Sequence, residues 1–251
     1  MKIKKLIFYI FVVVSIFVIY KVTFKDTKNY VALGDSLALG VNPYGEISYG
    51  YTDYIKDYLK KLEKLESYTN GFAEKNQTIE DLYEDITNNK TIVKNGNRYN
   101  IKSSLRESDL VTISIGLTDF KQDFTLDSFI DKLTDKESIK KRIDDIMIEF
   151  DDLLKLVKKY AKKDIIVVGY YNPFPYLDSY KKEINEFVEY SNKKYQQICG
   201  KNNAYFVNIS NYFSDRTDYL PNPFNTEPSI LGYNEIFKQV RKTLDNKILN
   251  N

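Results

Sequence analysis

Apolar residues recur along this chain in two rhythms that take turns. Tyr51, Tyr54, Ile55, Tyr58, Leu59 and Leu62 fall at i, i+3, i+4, i+7, i+8 and i+11, one face of an amphipathic helix. Ile139, Ile143, Ile146, Phe150, Leu153, Leu154 and Val157 repeat that pattern over residues 138–160. Short apolar runs stand between such stretches. Residues 30–33, 110–115 and 205–209 predict strands, and Ile165-Ile166-Val167-Val168 is unbroken, as in a strand covered on both faces. The pattern further predicts a strand over 67–72, a helix over 78–86 capped by Thr78, and a helix over 179–199. Asn95-Gly96 between 91–94 and 98–102 predicts a hairpin, a small insertion. A loop rich in Pro and Asn runs to Ser229, and a last helix starts near Tyr233.

Strands alternating with helices make a parallel sheet with helices on both faces. The expected fold class is α/β: a three-layer α/β/α sandwich with a mostly parallel sheet and flavodoxin-like winding. It occupies one domain over 30–251, with no internal repeat.

The first residues follow neither rhythm. Lys2, Lys4 and Lys5 precede an uncharged run over 6–20, which Val22, Thr23 and Phe24 extend once Lys21 snorkels. No small-x-small cleavage site follows, and no cysteine stands where a lipoprotein signal needs one. The expectation is a cytoplasmic tail over 1–5, a transmembrane signal anchor over 6–24 and a linker over 25–29, with the domain on the extracytoplasmic side of the cell membrane. A cleaved signal peptide is the competing reading.

Composition removes several functions. With 43% hydrophobic and 29% charged residues in 251, the chain can bury a real core. Lys+Arg 37 stand against Asp+Glu 35, so no nucleic-acid partner is expected. The runs Lys60-Lys61 and Lys162-Lys163 read as solvated faces. The His count is 0, so no imidazole can serve as base, acid or metal ligand. The one cysteine, Cys199, reads as a small buried apolar side chain and cannot form a disulfide within the chain. Neither a cofactor nor a metal is expected.

The remaining chemistry gathers where predicted strands end. Gly34-Asp35-Ser36-Leu37 closes the first strand, and a serine there presents its hydroxyl at the mouth of an α/β crevice. Ile115-Gly116-Leu117-Thr118-Asp119 closes the strand over 110–115, and Gly169-Tyr170-Tyr171-Asn172-Pro173-Phe174 follows the strand at 165–168. Glu227-Pro228-Ser229-Ile230-Leu231-Gly232-Tyr233 leads into the last helix. In this order the segments resemble the SGNH, or GDSL, hydrolase family of serine esterases and acyl hydrolases, most of all its bacterial, membrane-anchored, lipase-like branch. The resemblance runs from about Tyr30 to the C-terminus. It implies that Ser36 holds the nucleophile position and that Asn76 and Thr118 hold the oxyanion-hole positions, where the family has Gly and Asn. It also implies that Glu227 stands where the general-base histidine belongs and Phe224 where its orienting aspartate belongs. Asp215 and Asp218 share that loop at other spacings. The implied substrate is an ester: a lipid, an acyl ester or an acetylated glycan.

The departures weigh against catalysis. The usual glutamate pKa lies about 2 units below that of histidine, roughly 3 kcal/mol less drive to take a proton. Asn76 retains a backbone N–H and tolerates left-handed dihedrals. Thr118 offers a shorter donor than asparagine, and losing one oxyanion donor costs ~10²–10³ in turnover. Two readings therefore stand: a hydrolase with weak or lost activity, or a pseudoenzyme that binds a small ester, lipid or glycan ligand, or a protein, without turnover. A base supplied by a partner chain is a third. Asp119 reads as a structural cap or ion-pair partner. Tyr170, Tyr171, Phe174 and Tyr176 either line a groove or simply pack.

Overall fold

The computed structural model describes residues 26–249 apart from 95, 123–132 and 134. The expected tail and anchor lie outside the described residues, as does Asn95 of the predicted turn. Among the described residues no helix is long and apolar enough to cross a membrane.

The described residues form seven strands: β1 Lys28–Gly34, β2 Leu65–Thr69, β3 Thr91–Lys94, β4 Asn97–Asn100, β5 Leu110–Ser114, β6 Asp164–Val168 and β7 Tyr205–Val207. Five form one sheet in the order β2-β1-β5-β6-β7, with every neighbouring pair parallel. Counting those five alone, the order is 2-1-3-4-5, the winding of flavodoxin. β3 and β4 form the separate antiparallel hairpin.

Period-two alternation divides the sheet residues between two cores. Val31, Leu33, Val111, Ile113, Ile165 and Val167 face one, and Tyr30, Ala32, Leu110, Ile166, Val168 and Val207 the other. The helices are α1 Ser36–Leu39, α2 Tyr51–Lys61, α3 Ile79–Thr87, α4 Ile101–Glu107, α5 Leu117–Gln122, α6 Lys136–Tyr160, α7 Lys181–Lys201, α8 Ser210–Phe213 and α9 Ile230–Thr243. Helices α3, α4, α6 and α7 cover the first face; α2 and α9 cover the second, with a π-helical turn at Leu244–Leu249. The stripe assigned to 138–160 is buried throughout; of the stripe over 51–62, Tyr51, Ile55 and Leu59 are buried and Tyr54 and Tyr58 half-buried, while Leu62, one residue past the helix, is exposed.

Local polar chemistry moves several element ends. The stretch 98–102 is not all strand, because the Asn100 side chain accepts from Ser103 N at 3.0 Å and starts α4. The strand expected over 205–209 stops at Val207, because Asn208 Oδ1 accepts from Ser210 N at 2.9 Å and turns the chain into α8. The strand expected over 67–72 lies at Leu65–Thr69; Thr69 Oγ1 accepts from Gly71 N at 3.1 Å and turns the chain there. The last helix begins at Ile230, ahead of Tyr233, because Ser229 caps it through Gly232 N at 3.3 Å.

Candidate functional site

The winding reverses between β1 and β5, so their carboxyl ends diverge into a crevice where α/β sheets place ligands. Gly34 ends β1 with φ 129, and a Cβ there would stand 1.9 Å from the Ser114 carbonyl oxygen of β5. Only glycine allows the two backbones to pass so closely. Asp35 N then donates to Ser114 O at 3.0 Å, and the Asp35 carboxylate accepts from Leu37 N at 3.0 Å, capping α1. Ser36 follows, 4% exposed, at the first residue of α1.

A second loop reaches the serine from beyond β2. Asn76 N donates to Ser36 Oγ at 3.1 Å, and Asn76 has φ 54, in the left-handed region. Glu74 N on Gly34 O at 3.2 Å fixes the start of this loop, and the capping box of Thr78 and Asp81 fixes its end. Asp119 on α5 braces it further: its Oδ1 accepts from Ile79 N at 2.9 Å, in the first turn of α3. The other oxygen, Oδ2, is buried without a hydrogen-bond partner among the described residues, and burial pushes this carboxyl up to about 6. Asp119 is thus a helix cap that ties the β5 loop to the Asn76 loop. Thr118, beside it, borders a small cavity with Asp35, Leu37, Ser114 and Glu227.

Glu227 enters from the loop before α9 and is 9% exposed. Its N–H donates to Asn225 Oδ1 at 3.0 Å, and the neighbouring Thr226 is held by Tyr171 and Lys121. Among the described residues none donates a hydrogen bond to the Glu227 carboxylate. Burial pushes it up to about 7, against the pull of Lys121 and Lys75. Asp35 goes up to about 8, first through burial and then through the charge of Glu227. Two carboxyls therefore share one small cavity near neutrality.

The sign of the resulting pH dependence follows. At and below the ordinary carboxyl range, native and unfolded chains both hold the Glu227 proton. From there to about 7 only the native chain holds it, so stability falls as pH rises and then levels off. Glu227→Gln should melt with the parent protein at pH 4.5 and above it at pH 8, the gap there being on the order of 2–3 kcal/mol. Melting curves at the two pH values check this; a gap of equal size at both would refute it.

The other residues of the loop do not complete a triad. Phe224 is 95% exposed, with its N–H on Asn222 Oδ1 at 3.0 Å. Asp215 pairs with Lys181, and Asp218 holds Arg216 through two bonds of 2.8 and 2.7 Å. Both aspartates are committed at the surface.

A cavity of about 410 Å³ opens beside this site, lined by Phe120, Met147, Tyr170, Phe174 and Phe187, with Phe224 on its wall. Leu117, Lys121, Tyr170 and Tyr171 border both cavities. Tyr170, Tyr171 and Phe174 therefore line a ligand-sized space, whereas Tyr176 does not. Cys199 is buried, its thiol pushed up to about 12 by desolvation, and takes no part. Lys121 and the cavity face of α6 and α7 were not visible in the sequence. Lys121 has no motif of its own, and Ile146, Met147 and Phe187 sit on stripes that helical spacing assigns to core.

Residues 32–234 match the family model of the GDSL-like lipase/acylhydrolase family. No curated protein is similar in sequence. A lipase from a goat rumen metagenome superposes with a TM-score of 0.68 at 19% identity, over 85% of this chain and 95% of that one. An acetylxylan esterase from Geobacillus stearothermophilus gives 0.59 at 16%, over 87% and 95%. The extracellular lipase of Streptomyces rimosus gives 0.56 at 16%, over 85% and 98%. At these identities the likeness is one of fold.

Proposed function

The chain belongs to the GDSL-like lipase/acylhydrolase family, and on that premise we propose that it is a membrane-tethered, extracytoplasmic domain that binds an acyl ester at Ser36 and turns it over slowly or not at all. The observation that carries this reading is the apolar cavity of about 410 Å³ beside a serine whose Oγ already receives the Asn76 N–H. An acetyl group would use almost none of that space, so a longer acyl chain is the favoured ligand among the esters.

The chemistry open to the chain's own residues is limited. Ser36 Oγ would attack the carbonyl carbon, the Asn76 N–H and the Thr118 hydroxyl would meet the oxyanion, and Glu227 would take the serine proton. A carboxyl raised to about 7 matches the usual histidine range, which removes much of the deficit in proton affinity. Orientation is the deficit that remains. No described residue holds the Glu227 carboxylate in place, and Phe224, 95% exposed, offers it no polar group. That observation favours the second reading, binding without turnover, over brisk catalysis. The apolar run over 6–20 behind Lys2, Lys4 and Lys5 supports the tether and its topology.

The test is activated-ester hydrolysis across a series from acetyl to long acyl chains, with fluorophosphonate labelling of Ser36 alongside. The expected result is turnover near background, weak labelling, and inhibition of that labelling by long-chain fatty acids but not by acetate. Brisk turnover that disappears in Ser36→Ala would overturn the slow-or-absent reading.

A further inference from the structure

The amino ends of the parallel strands and the last turns of the helices meet at the base of the domain, opposite the crevice. The charge there is mixed, with Asp26, Glu63, Glu66, Glu107, Asp109 and Asp164 among the acids and basic side chains in excess. Lys28, Lys61, Lys64, Arg106, Lys162 and Lys163 lie on this base, where basic side chains outnumber acidic ones. The crevice end has the reverse balance, with Asp35, Asp119, Asp218 and Glu227 among its acids. Cations in last turns complement helix dipoles, which accounts for Lys60, Lys61 and Arg106. It does not account for Lys28, Lys64, Lys162 and Lys163, which lie outside the helices; of these, Lys28 and Lys64 pair with Asp26, and Lys163 pairs with Asp109. Among the described residues no carboxylate pairs with Lys61, Arg106 or Lys162; Arg106 lies over the Tyr160 ring and Lys162 Nζ donates to Lys159 O at 2.7 Å, contacts that leave all three charges exposed and not neutralised.

The chain leaves the described structure at this same base. Thr27 Oγ1 donates to Glu66 at 3.0 Å, and Asp26 pairs with Lys28 at 2.9 Å and Lys64 at 3.7 Å. Residues 25–27 separate the expected anchor from β1, and fully extended they reach about 10 Å. The seven residues of β1 alone rise about 20 Å toward Ser36. A tether that short cannot turn the crevice down onto the bilayer.

From the charge and the tether together we infer that the base of the domain docks on the anionic lipid headgroups of the bilayer that holds the anchor, with the crevice facing away from it. Lys61, Arg106 and Lys162 supply the attraction, which acts within a Debye length of the surface. The acyl ester then arrives from the far side of the domain and is not drawn from the tethering bilayer. The two charge runs read from the sequence as solvated faces become the contact.

This inference rests on the tether proposed above, and the experiment separates the two. Full-length chain is reconstituted in vesicles of phosphatidylcholine with or without phosphatidylglycerol and washed in alkaline carbonate. Donor dyes at Glu107→Cys on the base or Tyr44→Cys near the crevice report energy transfer to a headgroup-labelled acceptor lipid. The expected result is a retained chain and at least twofold more transfer from the base than from the crevice. That excess should grow with phosphatidylglycerol and shrink in Lys61→Glu with Lys162→Glu. A retained chain with equal transfer from both positions, or an excess indifferent to lipid charge, overturns the docking alone. A chain removed by carbonate overturns the tether and the docking with it.

Discussion

Glu227→His combined with Phe224→Asp should raise hydrolysis of an activated ester by roughly 10²–10⁴, the span that a positioned general base contributes. The nucleophile half of the site is in place: Ser36 is anchored at the end of β1 and its Oγ receives the Asn76 N–H at 3.1 Å. The pocket at 227 suits a neutral imidazole, since it is buried and Lys121 stands near it. Both influences disfavour the charged ring at rest. Phe224 is 95% exposed, so a carboxylate at that position starts from the solvent side of the loop. The single change Glu227→His should therefore supply most of the gain, and the second change less than a family triad would. Thr118→Asn should add up to ~10² by lengthening the oxyanion donor. Ser36→Ala in the restored protein should return it to background. The measurement is kcat on a soluble activated ester for each variant; no gain in any of them would mean that Ser36 cannot be brought within reach of a base at 227.

Ile113→Asp should abolish the folded state. Ile113 is fully buried on β5, the middle strand of the sheet, paired in register with Leu33 on β1 and Val167 on β6. Both faces of that sheet are covered, so a carboxylate at this position meets neither water nor a cation. Breaking into such a site with one unpaired charge costs several kcal/mol, about 3–5 when a buried charge is left alone. Domains hold ~5–15 kcal/mol in total. Loss of the Ile113 side chain adds a packing deficit. Val167→Asp, in the next strand at 1% exposure, should act alike. Val93→Asp on the exposed hairpin should stay within ~0.5 kcal/mol of the parent. Circular dichroism melts decide this, and an unchanged Tm for Ile113→Asp would contradict its place in the sheet.

The winding was legible in the sequence because two periodicities carry it. Residues 138–160 bury the stripe their spacing defines, residues 51–59 do so up to the end of their helix, and Ile165-Ile166-Val167-Val168 is covered on both sides. Helix α4 was hidden because only Ile101 and Leu105 mark its buried side and Asn100 decides its start. Helix α5 was hidden by brevity, six residues after a glycine. Ser36 was legible because it follows a strand end, which is local; Asn76, two residues before the Thr78 cap, was legible only through the family resemblance, counting back from that cap. The large cavity was not, since a helical stripe is apolar whether it meets a neighbour or an empty space. The carboxyl of Glu227 was judged too acidic from its ordinary value. Its rise comes from the docking of a whole loop, which no residue type reports.

The two halves of the site are built on different footings. Gly34 against Ser114 fixes the serine to the backbones of two central strands, so any change there disturbs the sheet itself. The segment 222–227 makes no backbone–backbone bond to the rest of the domain among the described residues. It is held by side chains: Tyr171 on Thr226 at 2.8 Å, Lys121 on Thr226 at 3.1 Å, and Asn222 on Pro43 at 2.7 Å. Substitutions at 224 and 227 can therefore accumulate without unfolding anything, while those at 34 cannot. A lineage released from selection for turnover would lose its base first and keep its serine motif long afterwards, for reasons of folding alone. In such a lineage an intact Gly-Asp-Ser-Leu measures the age of the sheet and says little about whether the enzyme still works.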